Sequence, residues 1–300
     1  MIRDWRSQTP RSNRLNGCYR SYFIAPIGLI GPILLLFAHL ATPLAHGQTG
    51  HAPQTINVRS GSLKLRALLW QPKGKGPFPA VLFCPGSGAN PTPQTLGPIF
   101  AKHGYIFLAS FRRGQGLSAS QGVESSVRVE KERAAHGDEA AGRLQVKLLE
   151  GEQLDDELSA LSVLRTLPNV DTGRIAVVGH SFGGSLALLV AERDHSIRAV
   201  VDFGGGARSW PLSSNFRDRL IQATRNLTAP VFFIHAANDY STDPGKLLDA
   251  ELARQGKAHQ LQIYPPFGST TTEGHGLIYL SIATWENDVF AFLEQHTSVQ

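Results

Sequence analysis

The segment from Gly179 to Gly183 constrains the fold of this chain more than any other feature. It reads GHSFG and is followed by Gly184, so it fits the pattern G-x-S-x-G. The mostly apolar, β-branched residues 174–178 before it predict a buried strand, and residues 185–192 after it predict a helix. The pattern requires a tight turn between strand and helix, where glycines relieve backbone crowding. The segment therefore predicts an α/β unit with the Ser181 hydroxyl raised at the end of a sheet.

Strands and helices alternate along most of the chain. Apolar runs predict strands at residues 54–59, 63–71, 79–84, 105–110, 174–178, 197–203, 231–236 and 259–264. Helices are predicted within residues 93–103 and at 154–167, 185–192, 213–227, 244–255 and 277–295. This alternation predicts an α/β fold with a mostly parallel central sheet and helices on both faces. Residues 48–300 are enough for one domain with a full core.

Residues 112–152 interrupt the alternation. They form a connection of about forty residues with many charged side chains, whereas most connections between strands and helices are far shorter. One interpretation is a solvated helical excursion. The other is a helical, cap-like insertion over a functional site, and the sequence leaves both open.

Residues 1–47 have the composition of a leader. Five arginines precede an apolar run at residues 23–41. The small residues at 45–47 would suit cleavage after Gly47. We expect a signal peptide and an exported protein, periplasmic or secreted. The run is also long enough to span a bilayer, so an uncleaved N-terminal membrane anchor is the alternative.

The net charge of +5 comes almost wholly from the leader. Five of the basic residues and one acidic residue lie in residues 1–47, which leaves 24 basic and 23 acidic residues in the rest. A nearly neutral chain is not expected to bind nucleic acid. Outside the leader Cys84 is the only cysteine, so we expect no disulfide within the processed chain and a buried thiol.

A serine hydroxyl becomes a nucleophile when a base accepts its proton and an acid orients that base. On doubly wound sheets the three follow the chain order Ser, Asp or Glu, then His. Asp239 comes directly after the predicted strand 231–236 and is our candidate acid. Asp243 stands at the start of a predicted helix, and Asp202 lies in an apolar strand.

His275 is our candidate base, because it lies between two glycines in the predicted loop 265–276 near the C-terminus. His259 begins a strand and His296 lies in the tail, which makes both weaker candidates. His180 is adjacent to Ser181 on a sharp turn, so we expect it to pack beside the turn.

The developing oxyanion needs backbone N–H donors. One is expected from Phe182, the residue after the nucleophile. The other is expected from the loop after the strand ending at Cys84, where Ser87 is our candidate and Gly88 the alternative.

No metal or cofactor is predicted. The histidines outside the leader show no paired ligand spacing such as H-E-x-x-H, and no G-x-G-x-x-G follows the first strand.

Four segments together resemble the α/β-hydrolase superfamily. They are residues 111–116 (FRRGQG), residues 179–184 (GHSFGG), residues 238–239 (ND) and residues 274–276 (GHG). The chain is most similar in these segments to the dienelactone hydrolase family and to prolyl-oligopeptidase-like esterases, over about residues 55–295. The resemblance implies the α/β-hydrolase fold, Ser181 as nucleophile, Asp239 as acid and His275 as base. Dienelactone hydrolases proper use a cysteine nucleophile, so Ser181 favours ester or amide substrates over lactones.

Three hypotheses follow. The first is an exported serine esterase that cleaves small to medium carboxylic esters through an acyl-enzyme. The second is a serine peptidase of the prolyl-oligopeptidase type, which is less favoured because the sequence shows no large propeller-like extension. The third is a catalytically silent binding protein of the same fold. Oligomeric state is not predicted.

Overall fold

The computed structural model describes residues 52–298. The predicted leader at residues 1–47 lies outside the described residues. Within residues 52–298, no helix has both the length and the apolar character needed to cross a membrane.

One eight-stranded sheet runs through the described part of the chain. Its strands are β1 (Gln54–Ser60), β2 (Leu63–Trp70), β3 (Phe78–Cys84), β4 (Ile106–Phe111), β5 (Val170–His180), β6 (Ala199–Phe203), β7 (Val231–Ala236) and β8 (His259–Tyr264). Their order across the sheet is β1-β2-β4-β3-β5-β6-β7-β8. β2 pairs antiparallel with both β1 and β4, and all other neighbours are parallel. The carboxyl ends of β3 to β8 therefore share one edge.

Successive side chains of the central strands enter two separate cores. On β3, Leu82 packs into one hydrophobic cluster, while Val81 and Phe83 pack into the other. This follows from the two-residue period of a strand, which sends alternate side chains to opposite faces. Both faces must be covered by helices, because both rows are apolar.

The helices cover both faces. They are α1 (Gly97–Lys102), α2 (Ser125–Glu150), α3 (Glu152–Thr166), α4 (Phe182–Arg193), α5 (Ser214–Asn226), α6 (Asp243–Arg254), α7 (Thr271–His275), α8 (Leu277–Leu280) and α9 (Ile282–Thr297). Side chains of α1 and α9 pack with Val81 and Phe83, and side chains of α3 to α6 pack with Leu82. The prediction of a mostly parallel sheet with helices on both faces is confirmed.

Two predictions near the C-terminus were wrong in detail. The loop expected at residues 265–276 contains α7, because Thr270 and Glu273 form a reciprocal capping box that starts a helix. The single helix expected at residues 277–295 is two helices, because Ser281 has non-helical backbone angles. The Ser281 hydroxyl lies 2.7 Å from that of Thr284, across the first turn of α9.

Residues 112–152 are mainly helical. A 3-10 helix spans Gly116–Gln121, and α2 follows with a break at Gly137, where φ is +82°. The second half of α2 packs closely on α5, since a Cβ at Gly142 would overlap the side chain of Ser213. This insertion is thus fixed against the body of the domain by its C-terminal half.

Candidate active site

Ser181 stands on the turn between β5 and α4 in a conformation that few non-glycine residues adopt. Its φ is +57°, and its N–H donates to the backbone oxygen of Phe203 at 2.8 Å. A Cβ at Gly183 would overlap the backbone oxygen of Cys84, and one at Gly179 would overlap Gly183. The two glycines therefore let the turn close against the backbone of Cys84 and Pro85 at the end of β3, and the serine side chain stands at the sheet edge.

The structure brings together the three side chains singled out in the sequence. The Ser181 Oγ lies 2.8 Å from His275 Nε2, and His275 Nδ1 lies 2.7 Å from Asp239 Oδ1. Ser181 comes from the turn after β5, Asp239 from the loop after β7, and His275 from the last residue of α7. Their shared position follows from the parallel sheet, whose carboxyl ends meet at this edge.

Asp239 is held by more donors than the sequence suggested. His235 Nδ1 donates to its Oδ2 at 2.9 Å, and the N–H of Tyr240 donates to its Oδ1 at 2.7 Å. Burial alone would raise the pKa of Asp239, but the hydrogen bonds from His235 and His275 outweigh it and hold the pKa at about 2. The carboxylate is therefore ionised at neutral pH.

The sequence predicts that His235 lies in a strand and indicates no role for its side chain. The one available signal was an imidazole at the carboxyl end of β7, four residues before Asp239. A histidine at the end of a strand does not by itself indicate a contact with a later aspartate, so the contact could be found only in the three-dimensional structure.

His180 holds the backbone at the end of α7, where His275 lies. Its Nε2 lies 2.9 Å from the backbone oxygen of His275, to which it donates. Burial and the neighbouring imidazole of His275 lower the pKa of His180 to about 3, so it stays neutral. The structure thus places His180 beside the turn, as expected, with its Nε2 bonded to the backbone oxygen of His275.

The loop after β3 is held by two buried side chains. Arg112 Nη2 donates to the backbone oxygen of Gly86 at 2.9 Å, and Gln115 Nε2 donates to the same oxygen at 2.7 Å. The Gly86–Ser87 peptide is trans, so the Ser87 N–H points opposite to that oxygen. It points away from Arg112 and Gln115, and no acceptor within residues 52–298 takes it.

The Phe182 N–H is the second available donor. Phe182 is the first residue of α4, and the first N–H groups of a helix have no intrahelical acceptor. Ser181, Phe182 and Ser87 therefore lie at the same edge of the sheet, and the N–H groups of Phe182 and Ser87 have no acceptor within the described residues.

Arg112 also makes a fully buried ion pair beneath this loop. Its Nη1 lies 2.8 Å from Glu157 Oε1, and both side chains are 0% exposed. Its other donors bond Gln153 and the backbone oxygen of Pro85, each at 2.9 Å. Removing either partner of such a pair strongly destabilises the fold, because the other partner would remain as an unpaired buried charge.

Arg112→Met is expected to lower the free energy of unfolding by about 3 kcal/mol or more, because it leaves the buried Glu157 carboxylate without its cation and the backbone oxygen of Pro85 without a donor. Urea unfolding followed by circular dichroism measures this. Arg165→Met is the matched control. Arg165 pairs with Asp194 at 2.6 Å but is 30% exposed, so its loss should change stability by less than about 1 kcal/mol. Equal effects of the two substitutions would contradict this account of Arg112.

A second buried carboxyl lies next to the site. Asp202, at the end of β6, accepts the N–H of Gly205 at 2.7 Å, and it fits because Gly184 and Gly205 have no Cβ. Burial raises the pKa of Asp202 to about 7, with the Asp239 carboxylate adding to the effect and His275 opposing it. The folded state therefore favours the protonated form.

Stability should depend on pH through Asp202. Its pKa is near 3.9 when unfolded and about 7 when folded. Its contribution is therefore complete below about pH 4 and is lost as pH rises through 7. Asp202→Asn should then be more stable than wild type at pH 8.5, by on the order of 4 kcal/mol, with a smaller difference at pH 5. Denaturant unfolding at both pH values tests this, with the exposed Asp218→Asn as control. A difference that does not grow with pH would refute it.

Two cavities open beside Ser181. The first, here called the histidine-side cavity, has a volume of about 280 Å³ and is lined by His275, Tyr240 and Tyr279. The second, here called the α2-side cavity, has a volume of about 70 Å³ and lies between α2, α4 and α5. Ser181 and Ser87 line both cavities. Among the described residues, no three His, Cys, Asp or Glu side chains are grouped so as to hold a metal ion.

Comparison with known proteins identifies a family model. The model described as "Dienelactone hydrolase family" matches residues 65–273, more than two thirds of the chain. The chain is 34% identical over 168 residues to "Esterase EstD" of Thermotoga maritima, a match that covers 55% of this chain and 34% of that protein. It is 22% identical over 277 residues to "Cutinase cut1" of Thermobifida fusca, covering 86% of this chain and 76% of that protein.

Solved structures share the fold. The acylaminoacyl peptidase of Pyrococcus horikoshii superposes with a TM-score of 0.64 at 18% identity, covering 84% of this chain and 43% of that one. The chain thus spans about a third of the esterase and less than half of the peptidase.

Proposed function

The chain belongs to the dienelactone hydrolase family, and we propose that it is an exported serine hydrolase that cleaves carboxylic esters of small to medium size through a Ser-His-Asp acyl-enzyme mechanism. The observation that carries this proposal is the hydrogen-bonded series from Ser181 Oγ through His275 to Asp239, at 2.8 and 2.7 Å. The esterase and cutinase relatives support an ester substrate. No metal or cofactor has a part in the proposed reaction.

In the first half-reaction Ser181 Oγ attacks the ester carbonyl carbon while His275 Nε2 accepts its proton. The carbonyl oxygen becomes an oxyanion and accepts hydrogen bonds from the N–H groups of Ser87 and Phe182. Asp239 stabilises the imidazolium through Nδ1. The tetrahedral intermediate then breaks its bond to the alcohol oxygen, which takes the proton from His275, and leaves an acyl group on Ser181.

Water completes the reaction. It replaces the alcohol, gives a proton to His275 Nε2 and attacks the acyl carbon through a second oxyanion intermediate. When this intermediate collapses, Ser181 Oγ leaves and regains its proton from His275. The products are a carboxylic acid and an alcohol, and the enzyme returns to its starting state.

The path of the proton suggests which part of the substrate lies in each cavity. His275 must deliver its proton to the leaving alcohol, and His275 lines only the histidine-side cavity. The alcohol part of the substrate therefore belongs in that cavity. The acyl part belongs in the α2-side cavity, where the N-terminal half of α2 would act as the cap expected at residues 112–152.

Export is part of the proposal because of the leader-like composition of residues 1–47. A cleaved signal peptide would release the domain to the periplasm or medium, whereas an uncleaved segment would anchor it to a membrane. N-terminal sequencing of the protein from its native host distinguishes the two, and a start at Gln48 supports cleavage.

Ester and amide substrates separate the esterase from a peptidase. We expect kcat/KM for p-nitrophenyl acetate to exceed that for a proline-containing dipeptide p-nitroanilide by more than about a hundredfold, a difference of roughly 3 kcal/mol in barrier. A dipeptide amide cleaved as fast as the ester would favour the peptidase instead. No turnover of either, with no covalent labelling of Ser181, would favour a binding protein.

A further inference from the structure

The α2-side cavity contains two hydroxyl groups that nothing in the described residues satisfies. The side-chain oxygens of Ser125 and Ser185 are buried and have no hydrogen-bond partner within residues 52–298. Ser125 is 2% exposed and Ser185 is 0% exposed, and both residues line this cavity together with Gln145. Nearly all buried polar atoms in proteins have a partner, so two orphans at one cavity indicate a missing one.

The cavity has room for a short chain. Its volume of about 70 Å³ corresponds to roughly five to seven water-sized groups at 10–15 Å³ each. Ser125 approaches from the first turn of α2, and Ser185 from the first turn of α4. A group placed between the two helices can therefore meet hydroxyls from both.

The charges at this cavity are already paired with one another. Arg133 lies 2.5 Å from Glu130 and 2.8 Å from Asp138. Arg208 lies 3.7 Å from Glu130 and over the ring of Tyr240. A carboxylate on the substrate would meet the charge of Glu130 along with these cations. An uncharged group that both donates and accepts, such as a hydroxyl, fits the two serines better.

The helix geometry sets where on the substrate that group must be. Ser185 follows Ser181 by four residues, and its backbone N–H donates to the backbone oxygen of Ser181 at 3.2 Å, so Ser185 lies one turn into α4 from the nucleophile. One turn of an α-helix rises about 5.4 Å. A hydroxyl on the third carbon of an acyl group bonded to Ser181 Oγ spans that separation.

Resting on the proposed esterase function, we infer that Ser125 and Ser185 form a polar subsite that selects short acyl groups carrying a hydroxyl on the third carbon. The preferred substrates are then 3-hydroxyacyl esters, and plain alkyl esters of the same size are poorer ones. The hydroxyl replaces water on the two serines and leaves no orphan behind.

A pair of substrates of equal size tests this subsite. p-Nitrophenyl 3-hydroxybutyrate and p-nitrophenyl 3-methylbutyrate differ only by a hydroxyl in place of a methyl. We expect wild type to favour the hydroxy ester in kcat/KM by about tenfold or more, because the methyl would bury both serine oxygens unpaired. Ser185→Ala and, separately, Ser125→Ala should each lower this ratio by about three- to tenfold.

The controls separate failure of the subsite from failure of the enzyme. Both variants should raise kcat/KM for the methyl ester, because one oxygen that the methyl group leaves unpaired is gone, and they should unfold no more easily, since the lost hydroxyl has no partner within the described residues. Ser162→Ala, on the exposed side of α3, should leave the ratio unchanged. Equal kcat/KM for both esters in wild type, or an unchanged ratio in both variants, would overturn the subsite alone. No turnover of either ester and no labelling of Ser181 would overturn the proposed function and the subsite with it.

Discussion

Ser181→Ala is expected to lower kcat for p-nitrophenyl acetate by about 10⁵- to 10⁶-fold, the largest single effect in this protein. The substitution removes the only atom that would form a bond to the substrate, and His275 Nε2 then has no hydroxyl at 2.8 Å to activate. Residual turnover would come from the N–H groups of Ser87 and Phe182 acting on attack by water. Initial rates, corrected for the spontaneous hydrolysis of the ester, measure the loss.

The fold should survive this substitution. Alanine retains the Cβ, so the positive φ at residue 181 is equally unfavourable in both proteins. The melting temperature should therefore change little, and Ser162→Ala should show wild-type activity. If Ser181→Ala kept more than about 1% of the wild-type kcat, another group would have to be the nucleophile.

Asp239→Asn is expected to lower kcat by about 10⁴-fold while leaving the site assembled. Asp239 Oδ1 accepts from His275 Nδ1, which fixes the tautomer with Nε2 free to accept the serine proton. An asparagine NH₂ group in that place would favour the opposite tautomer, and it could not balance the imidazolium charge. The acid at position 239 therefore acts on the reaction through His275.

The surface offers a matched control for Asp239. Asp249 on α6 pairs with His259 Nδ1 at 2.7 Å, the same carboxylate–imidazole contact at a partly exposed position away from Ser181. Asp249→Asn should leave kcat unchanged. Steady-state rates of both variants at pH 7 to 9 test the comparison, because the low pKa of Asp239 keeps it ionised throughout. A similar kcat for wild type and Asp239→Asn would remove Asp239 from the mechanism.

The architecture could be predicted from the sequence because its determinants are local. Each central strand is an apolar run of a few residues bounded by polar or glycine-containing turns, and each long helix shows its period. The two predictions that were wrong, the loop at residues 265–276 and the single helix at residues 277–295, concern features that depend on side-chain contacts and on local backbone angles. The break at Ser281 interrupts a segment that is apolar on both sides, and α7 depends on the capping box of Thr270 and Glu273.

The candidate site could be predicted in part for the same reason. Ser181, Asp239 and His275 each follow a recognisable strand, and the order along the chain restricts the choice. The supporting residues carry no such signal. His235, Gln115 and Glu157 act through contacts between residues far apart or on different elements, as in the Arg112–Glu157 pair beneath the Gly86 loop.

The orphan hydroxyls were beyond sequence reasoning altogether. Ser125 and Ser185 are ordinary residues of their helices, and a serine in a sequence does not reveal whether its oxygen has a partner. Only the packing of α2 against α4 and α5 makes them neighbours of one cavity. With the proposed subsite, substrate choice would depend on the insertion at residues 112–152 as well as on the strand ends.

The most direct measurement identifies the residue that a fluorophosphonate probe modifies. The probe should react with the wild-type protein once per chain, and mass spectrometry of the digested adduct should place the added mass on Ser181. Ser181→Ala should remain unlabelled, and Asp239→Asn should react far more slowly than wild type. A label on any other residue, equal labelling of Ser181→Ala, or no labelling of the wild type would contradict Ser181 as the activated nucleophile.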